Sequence, residues 1–183
     1  MKHTLSIVLS AIALILAFAV VPTVSAAQPA PSYTPVPSAK PDFSSMNFLM
    51  GTWTCTQMLR GAKRPDTSTT TMGMDGMWMV TQDTAPAFDK YRNYAIAGTT
   101  YTGYDPSTKQ WIQTGVDSSG GYFTSTSPGW QGSTITWATK GLDGSSGTDV
   151  ITKSSDTATS DASTNTDAQG KATSTTIACT KSA

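Results

Sequence analysis

The chain has 183 residues and a formal net charge of zero, with 12 basic side chains against 12 acidic ones, all of the latter Asp. Charge this sparse and mixed excludes the basic footprint of a nucleic-acid binder and the like-charge block of an acidic tail. One histidine, His3, and two cysteines cannot form a zinc cluster, and the aspartates lack the spacing of a calcium loop.

Residues 1–26 read as an export signal. Lys2 and His3 give a positive start, Leu5 to Val21 is nearly all apolar, and Val24-Ser25-Ala26 offers small residues for cleavage before Ala27. The apolar run is a little short for a bilayer span, so the sequence predicts no membrane span in the mature chain and a periplasmic or secreted location. Residues 27–41 form a proline-rich linker, which cannot join a hydrogen-bonded ladder and is expected to be extended. Residues 42–183 are enough for one domain with a core. Their Thr, Ser and Gly content, with no Glu at all, predicts an all-β domain, since the branched Cβ of threonine favours extended backbone.

Asp42 to Met50 is expected to form one helical turn plugging a barrel end, with Phe43, Met46 and Leu49 at three-residue spacing and Asp42 or Ser44 as its cap. A strand follows from Gly51 to Leu59, with Trp53 and Cys55 on one face and Thr52, Thr54 and Thr56 on the other. Arg60 to Thr67 reads as a basic loop. Ser68–Met74 and Met77–Asp83 read as a hairpin turned by Asp75-Gly76, a pairing that would set Met72, Met74, Met77 and Met79 on one face. Thr84 to Tyr94 breaks the pattern with Pro86 and is either a lid or a packed connection.

Ala95–Tyr104 and Gln110–Asp117 form the next hairpin, with Pro106 at the second turn position. Gly120–Ser127, Ser133–Lys140 and Asp149–Lys153 continue the series. Residues 154–170, nearly all Ser, Thr, Asp, Ala and Asn, are either two polar edge strands or a partly disordered excursion. The final strand, Thr175–Thr180, carries Ile177 and Cys179 on one face. Its pairing with the first strand would close an antiparallel up-and-down barrel of eight to ten strands and remove the exposed sheet edges. Cys55 and Cys179 would then meet as a disulfide, in keeping with export.

Phe48-Leu49-x-Gly51-x-Trp53 resembles the opening motif of lipocalin-like (calycin) barrels. Asp75-Gly76-Met77-Trp78-Met79-Val80, Thr102-Gly103-Tyr104-Asp105-Pro106, Trp111 and Val116-Asp117-Ser118 together resemble a bacterial family known as domain of unknown function 1579. The resemblance covers roughly residues 42–180 and implies a barrel with an internal cavity and no established chemistry. The Thr-Asp-x-Tyr turn of transport lipocalins is absent. Haem-binding relatives use an axial histidine, and His3 would leave with the signal, so no cofactor is expected.

Catalysis is not predicted. The mature chain has no histidine to serve as base and no Ser–His or Cys–His pair, and Asp75, Asp105 and Asp143 occupy turn positions where backbone bonding explains them. The leading expectation is a small apolar ligand held inside the barrel, with Trp53, Tyr101, Ile112, Val116, Ile135 and Trp137 as lining; the same residues would also serve as simple core filling. A second expectation is Cu(I) on the thioethers of Met72, Met74, Met77 and Met79, against their use as flexible core packing. A third is an interaction module displaying Trp130 with Arg60, Lys63 and Arg64.

Overall fold

The computed structural model describes residues 39–59, 61–88 and 93–182. The predicted signal and all of the linker before residue 39 lie outside these residues, as do positions 89–92 of the expected lid or connection. No helix among the described residues is long and apolar enough to cross a membrane.

Eleven strands follow a short 3-10 helix at Ser44–Leu49. They are β1 (Gly51–Leu59), β2 (Ala62–Gly73), β3 (Trp78–Ala85), β4 (Ile96–Asp105), β5 (Gln110–Asp117), β6 (Tyr122–Ser127), β7 (Trp130–Gln131), β8 (Thr134–Gly141), β9 (Ser146–Ser155), β10 (Ala158–Thr166) and β11 (Ala172–Lys181). Each long strand pairs antiparallel with its sequence neighbours, β1 pairs with β11, and β6 pairs with β8 past the two-residue β7. The result is a closed ten-stranded barrel with its first and last strands joined.

The β1–β11 register sets Cys55 directly opposite Cys179, and the two form a disulfide across 124 residues of chain. Thr52, Thr54 and Thr56 lie exposed on the opposite face of β1. Between strands, hydroxyl pairs add to the ladder: Thr70 with Thr81 at 2.9 Å and Ser125 with Thr139 at 2.8 Å.

One barrel end is closed. Phe43 and Met46 of the helical segment are buried with Met79, Ile135 and Trp137, and the Phe43 ring lies 5.1 Å from that of Trp111. The Trp53 indole donates to the Leu49 carbonyl at 2.8 Å, fixing the helix to β1. Asp42 accepts from the Ser44 amide at 2.9 Å and shapes the turn leading into it. Lys181 Nζ donates to the Phe48 carbonyl at 3.1 Å, and Lys153 Nζ sits 4.4 Å from the centre of the Phe48 ring.

Three expectations are corrected. The basic loop does not exist as such: Gly61, at φ 78°, turns the chain tightly, and Ala62 to Thr67 belong to β2. Lys63 is exposed on its outer register, whereas Arg64 shares the inward register with Asp66 and Ser68. The methionine hairpin is not turned by Asp75-Gly76 alone. Met74, Asp75 and Gly76 all adopt positive φ (50°, 56° and 80°), so the turn spans Met74–Met77 and the last pairs are Gly73 with Trp78 and Met72 with Met79. Residues 154–170 form the end of β9, β10 and a turn; these strands lie within the wall, not at an edge.

Candidate functional site

The end opposite the helical segment opens on a cavity of about 730 Å³. Its rim comes from the turns after β5 and β8, through Asp117, Gly121, Tyr122, Leu142, Asp143 and Ser145. Deeper, β4 and β5 supply Gly98, Thr100, Gln113 and Gly115, β6 supplies Phe123, and β8 supplies Trp137. Gly115 is required here: a Cβ at that position would come within 2.1 Å of the Phe123 ring, which packs over its backbone.

Polar strand residues complete the wall. Asp66 on β2 and Asp83 on β3 face inward together, and Asp149 on β9 and Asp161 on β10 do the same beyond β1 and β11. Burial pushes the Asp83 carboxyl up to about 6, with the neighbouring Asp66 charge adding to it. Burial pushes Asp161 up to about 7; Asp149 repels its charge, and a hydrogen bond from Ser163 acts in the opposite direction. Asp149 Oδ2 accepts from Thr139 Oγ1 at 2.6 Å, and Thr139 in turn meets Ser125 across the β6–β8 seam. Two solvent-shielded polar atoms, Asp161 Oδ1 and Trp137 Nε1, have no hydrogen-bond partner among the described residues.

The rim aspartates differ in kind. Asp117 accepts from the Ser119 amide at 2.7 Å, from the Ser119 hydroxyl and from the Gly121 amide at 3.2 Å, and these bonds hold its carboxyl below the usual range. Asp143 and Asp105 are likewise lowered by their turn hydroxyls and amides. The turn role read for Asp105 and Asp143 is thus what their bonds perform.

The expected lining residues do not share one place. Trp137, only 3% exposed, lines the cavity; Trp53 and Ile135 are buried but stand outside its wall, toward the closed end. Tyr101 and Ile112 fall on the outward register, because Thr100, Thr102, Gln113 and Gly115 take the inward positions between them. Val116 contributes to the cavity edge but is 50% exposed, on the register opposite Gly115 and Asp117. The phase read on β1, where apolar means inside, does not transfer to the cavity-facing part of β4 and β5, where Gly98, Thr100, Thr102, Gln113 and Gly115 point inward and the aromatic Tyr104 and Trp111 take that face only toward the closed end.

The methionines differ in exposure, although Met72 and Met79 are register partners. Met79 is 3% exposed in the core, Met74 is 63% exposed on the turn, and Met72 is exposed across from Met79. Trp130 is not displayed either: its ring packs edge-on to Phe48 at 5.4 Å.

Sequence reasoning missed all four strand aspartates. The signal was present in their parity, since Asp83 lies an even number of residues from Met79, Asp149 two from Ile151, and Asp161 two from Ser163.

No family model matches the chain, and no curated protein matches it. Among solved structures, one described as EF1p2_mFAP2b bound to DFHBI is similar at 14% sequence identity with a TM-score of 0.37, over 75% of this chain and 96% of that one.

Proposed function

We propose that the protein binds a small molecule in the open end of its barrel, as an exported carrier or sensor of the lipocalin-like kind that the sequence motifs resemble, and without catalysing a reaction on it. The observation that carries this reading is the cavity itself. A filled barrel interior leaves few voids larger than a water molecule, whereas here about 730 Å³ opens below Phe123 and Trp137. Its wall combines aromatic surface with a few fixed polar groups, the usual make-up of a ligand site. The carboxylates make the expected ligand amphipathic, with an apolar body and polar ends, in place of the wholly apolar one read from the sequence. Export accords with the Cys55–Cys179 disulfide, which an oxidising compartment preserves.

Gly98 gives the test. It lines the cavity at ordinary backbone angles, and a Cβ there meets only the Val116 carbonyl oxygen at 3.5 Å, so a side chain can start at this position and Gly98→Trp is expected to occupy cavity space. The domain purified from its host should release a small compound to mass spectrometry, or enhance the fluorescence of N-phenyl-1-naphthylamine. Gly98→Trp should weaken either by about tenfold or more. Equal behaviour of the two proteins would refute a ligand in this cavity.

A further inference from the structure

We propose that the open-end cavity selects an organic cation, a primary amine on a small aromatic or branched body, over neutral and anionic molecules of the same size. This rests on the binding reading above and gives the ligand its charge.

The described residues that line the cavity include six aspartates (Asp66, Asp83, Asp117, Asp143, Asp149 and Asp161) and no lysine, arginine or histidine. Asp117 and Asp143 are occupied by their turns. The other four project from strands, in two pairs with β1 and β11 between them. Arg64 shares the inward register of β2 with Asp66, so that pair has a positive neighbour on its own strand. Lys153 and Lys181 also take the inward register, but at the closed end, held over Phe48 and Trp53, and Lys153 is paired with Asp156 at 2.7 Å. For the pair Asp149 and Asp161 the register gives β9 and β10 no cation at cavity depth; Arg64 stands in the register row of Asp161, with Gln57 of β1 and Ile177 of β11 between them.

Two carboxylates withdrawn from water repel each other and lose solvation, and a bound positive charge relieves both costs at once. Both groups with raised carboxyls, Asp83 and Asp161, belong to these pairs. A metal ion is the less suitable partner, because nowhere among the described residues do three His, Cys, Asp or Glu side chains gather closely enough to hold one. An ammonium group needs no such cage; it takes two or three acceptors and rests against aromatic faces.

A second observation points the same way and adds detail. Trp137, 97% buried by its 3% exposure, lines this wall beside its register partner Asp149, yet its indole N–H meets no acceptor among the described residues. An unmet buried donor is costly, and a ligand oxygen would meet it. The geometry therefore favours an amine that also carries a hydroxyl or carbonyl.

Tyramine, its neutral alcohol analogue tyrosol and the anion 4-hydroxyphenylacetate differ only at the charged end. Isothermal titration of the barrel domain should show tyramine binding on the order of tenfold tighter than tyrosol, with the anion weakest. The double variant Asp149→Asn/Asp161→Asn should bring tyramine down to the tyrosol value while melting no lower than the parent. Tyramine binding should strengthen severalfold from about pH 5 to about pH 8 as the paired carboxylates ionise, and this gain should vanish in the double variant. Equal binding of tyramine and tyrosol would overturn the inference while leaving a ligand cavity in place. So would binding of N-phenyl-1-naphthylamine with none of the three probes. If no probe of any kind enters, and Gly98→Trp changes nothing, both the inference and the binding reading fall.

Discussion

Asp161 is held inside the wall with one oxygen shielded and unbonded, and its neighbour Asp149 is another acid. A carboxyl raised from 3.8 to about 7 on folding favours the protonated native state, so its contribution to stability is complete below 3.8 and lost as pH rises through about 7. Asp83 behaves alike up to about 6. The turn carboxyls of Asp105, Asp117 and Asp143 are lowered, so their support is lost as pH falls below the ordinary carboxylate range. Urea denaturation should therefore find a stability maximum near pH 4–5 and a decline of roughly 2–4 kcal/mol by about pH 8. Asp161→Asn should remove most of that decline, and an unchanged pH profile in the variant would disprove the assignment. Gly115 acts through space alone: Gly115→Val drives a branched carbon into the Phe123 ring, and the loss should be about 1–3 kcal/mol by thermal melting. Turn aspartates were legible in the sequence because Asp-Pro and Asp-Gly carry a local signal. The strand aspartates were not, because parity with Met79 or Ile151 shows their face only once those residues are known to point inward, and a Thr-rich strand does not announce that.

At the scale of elements, β1 and β11 show how far alternation reaches. Trp53 and Cys55 on one strand, with Ile177 and Cys179 on the other, announced both the inner face and the closure, and the pairing of Cys55 with Cys179 follows them. Removing that bond as Cys55→Ser/Cys179→Ser should cost about 4–5 kcal/mol in denaturant on the chain-entropy account of so long a loop; a loss under about 1 kcal/mol would mean that strand pairing alone constrains the ends. Elsewhere the rule gave out. Residues 158–166 hold no large apolar side chain, so their pattern left edge strands and disorder both open; Ser163 is buried and Asn165 packs against Gly147, because this sector of the interior is itself polar. The turn at Met74–Met77 escaped for a local reason. Asp-Gly was the correct signal, but Met74 enters the left-handed region as well and lengthens the loop.

The whole barrel is joined unequally around its circumference. Where β1 meets β11 the ladder runs from Trp53 with Lys181 to Leu59 with Thr175 and is reinforced by sulfur. Where β6 meets β8 it runs only from Phe123 with Gly141 to Thr126 with Ala138, with the Ser125–Thr139–Asp149 hydroxyl chain as reinforcement. Amide hydrogen exchange should be fastest along β6 and β7 and slowest along β1 and β11. Protection of β6 equal to that of β1 would contradict an uneven seam. That weaker join borders the cavity mouth, on the side where a ligand would enter.

The ammonium groups of Lys153 and Lys181 lie over Phe48 and Trp53 at the sealed end of the barrel, with Lys153 also paired to Asp156 at 2.7 Å, whereas the open end is lined with carboxylates. Charges that balance over the whole sequence are thus unevenly placed, with carboxylates and no lysine, arginine or histidine among the described residues that line the open end. A positively charged visitor would meet carboxylates at the mouth and be stopped by the packed side chains that seal the far end, so its depth of penetration would be set by shape.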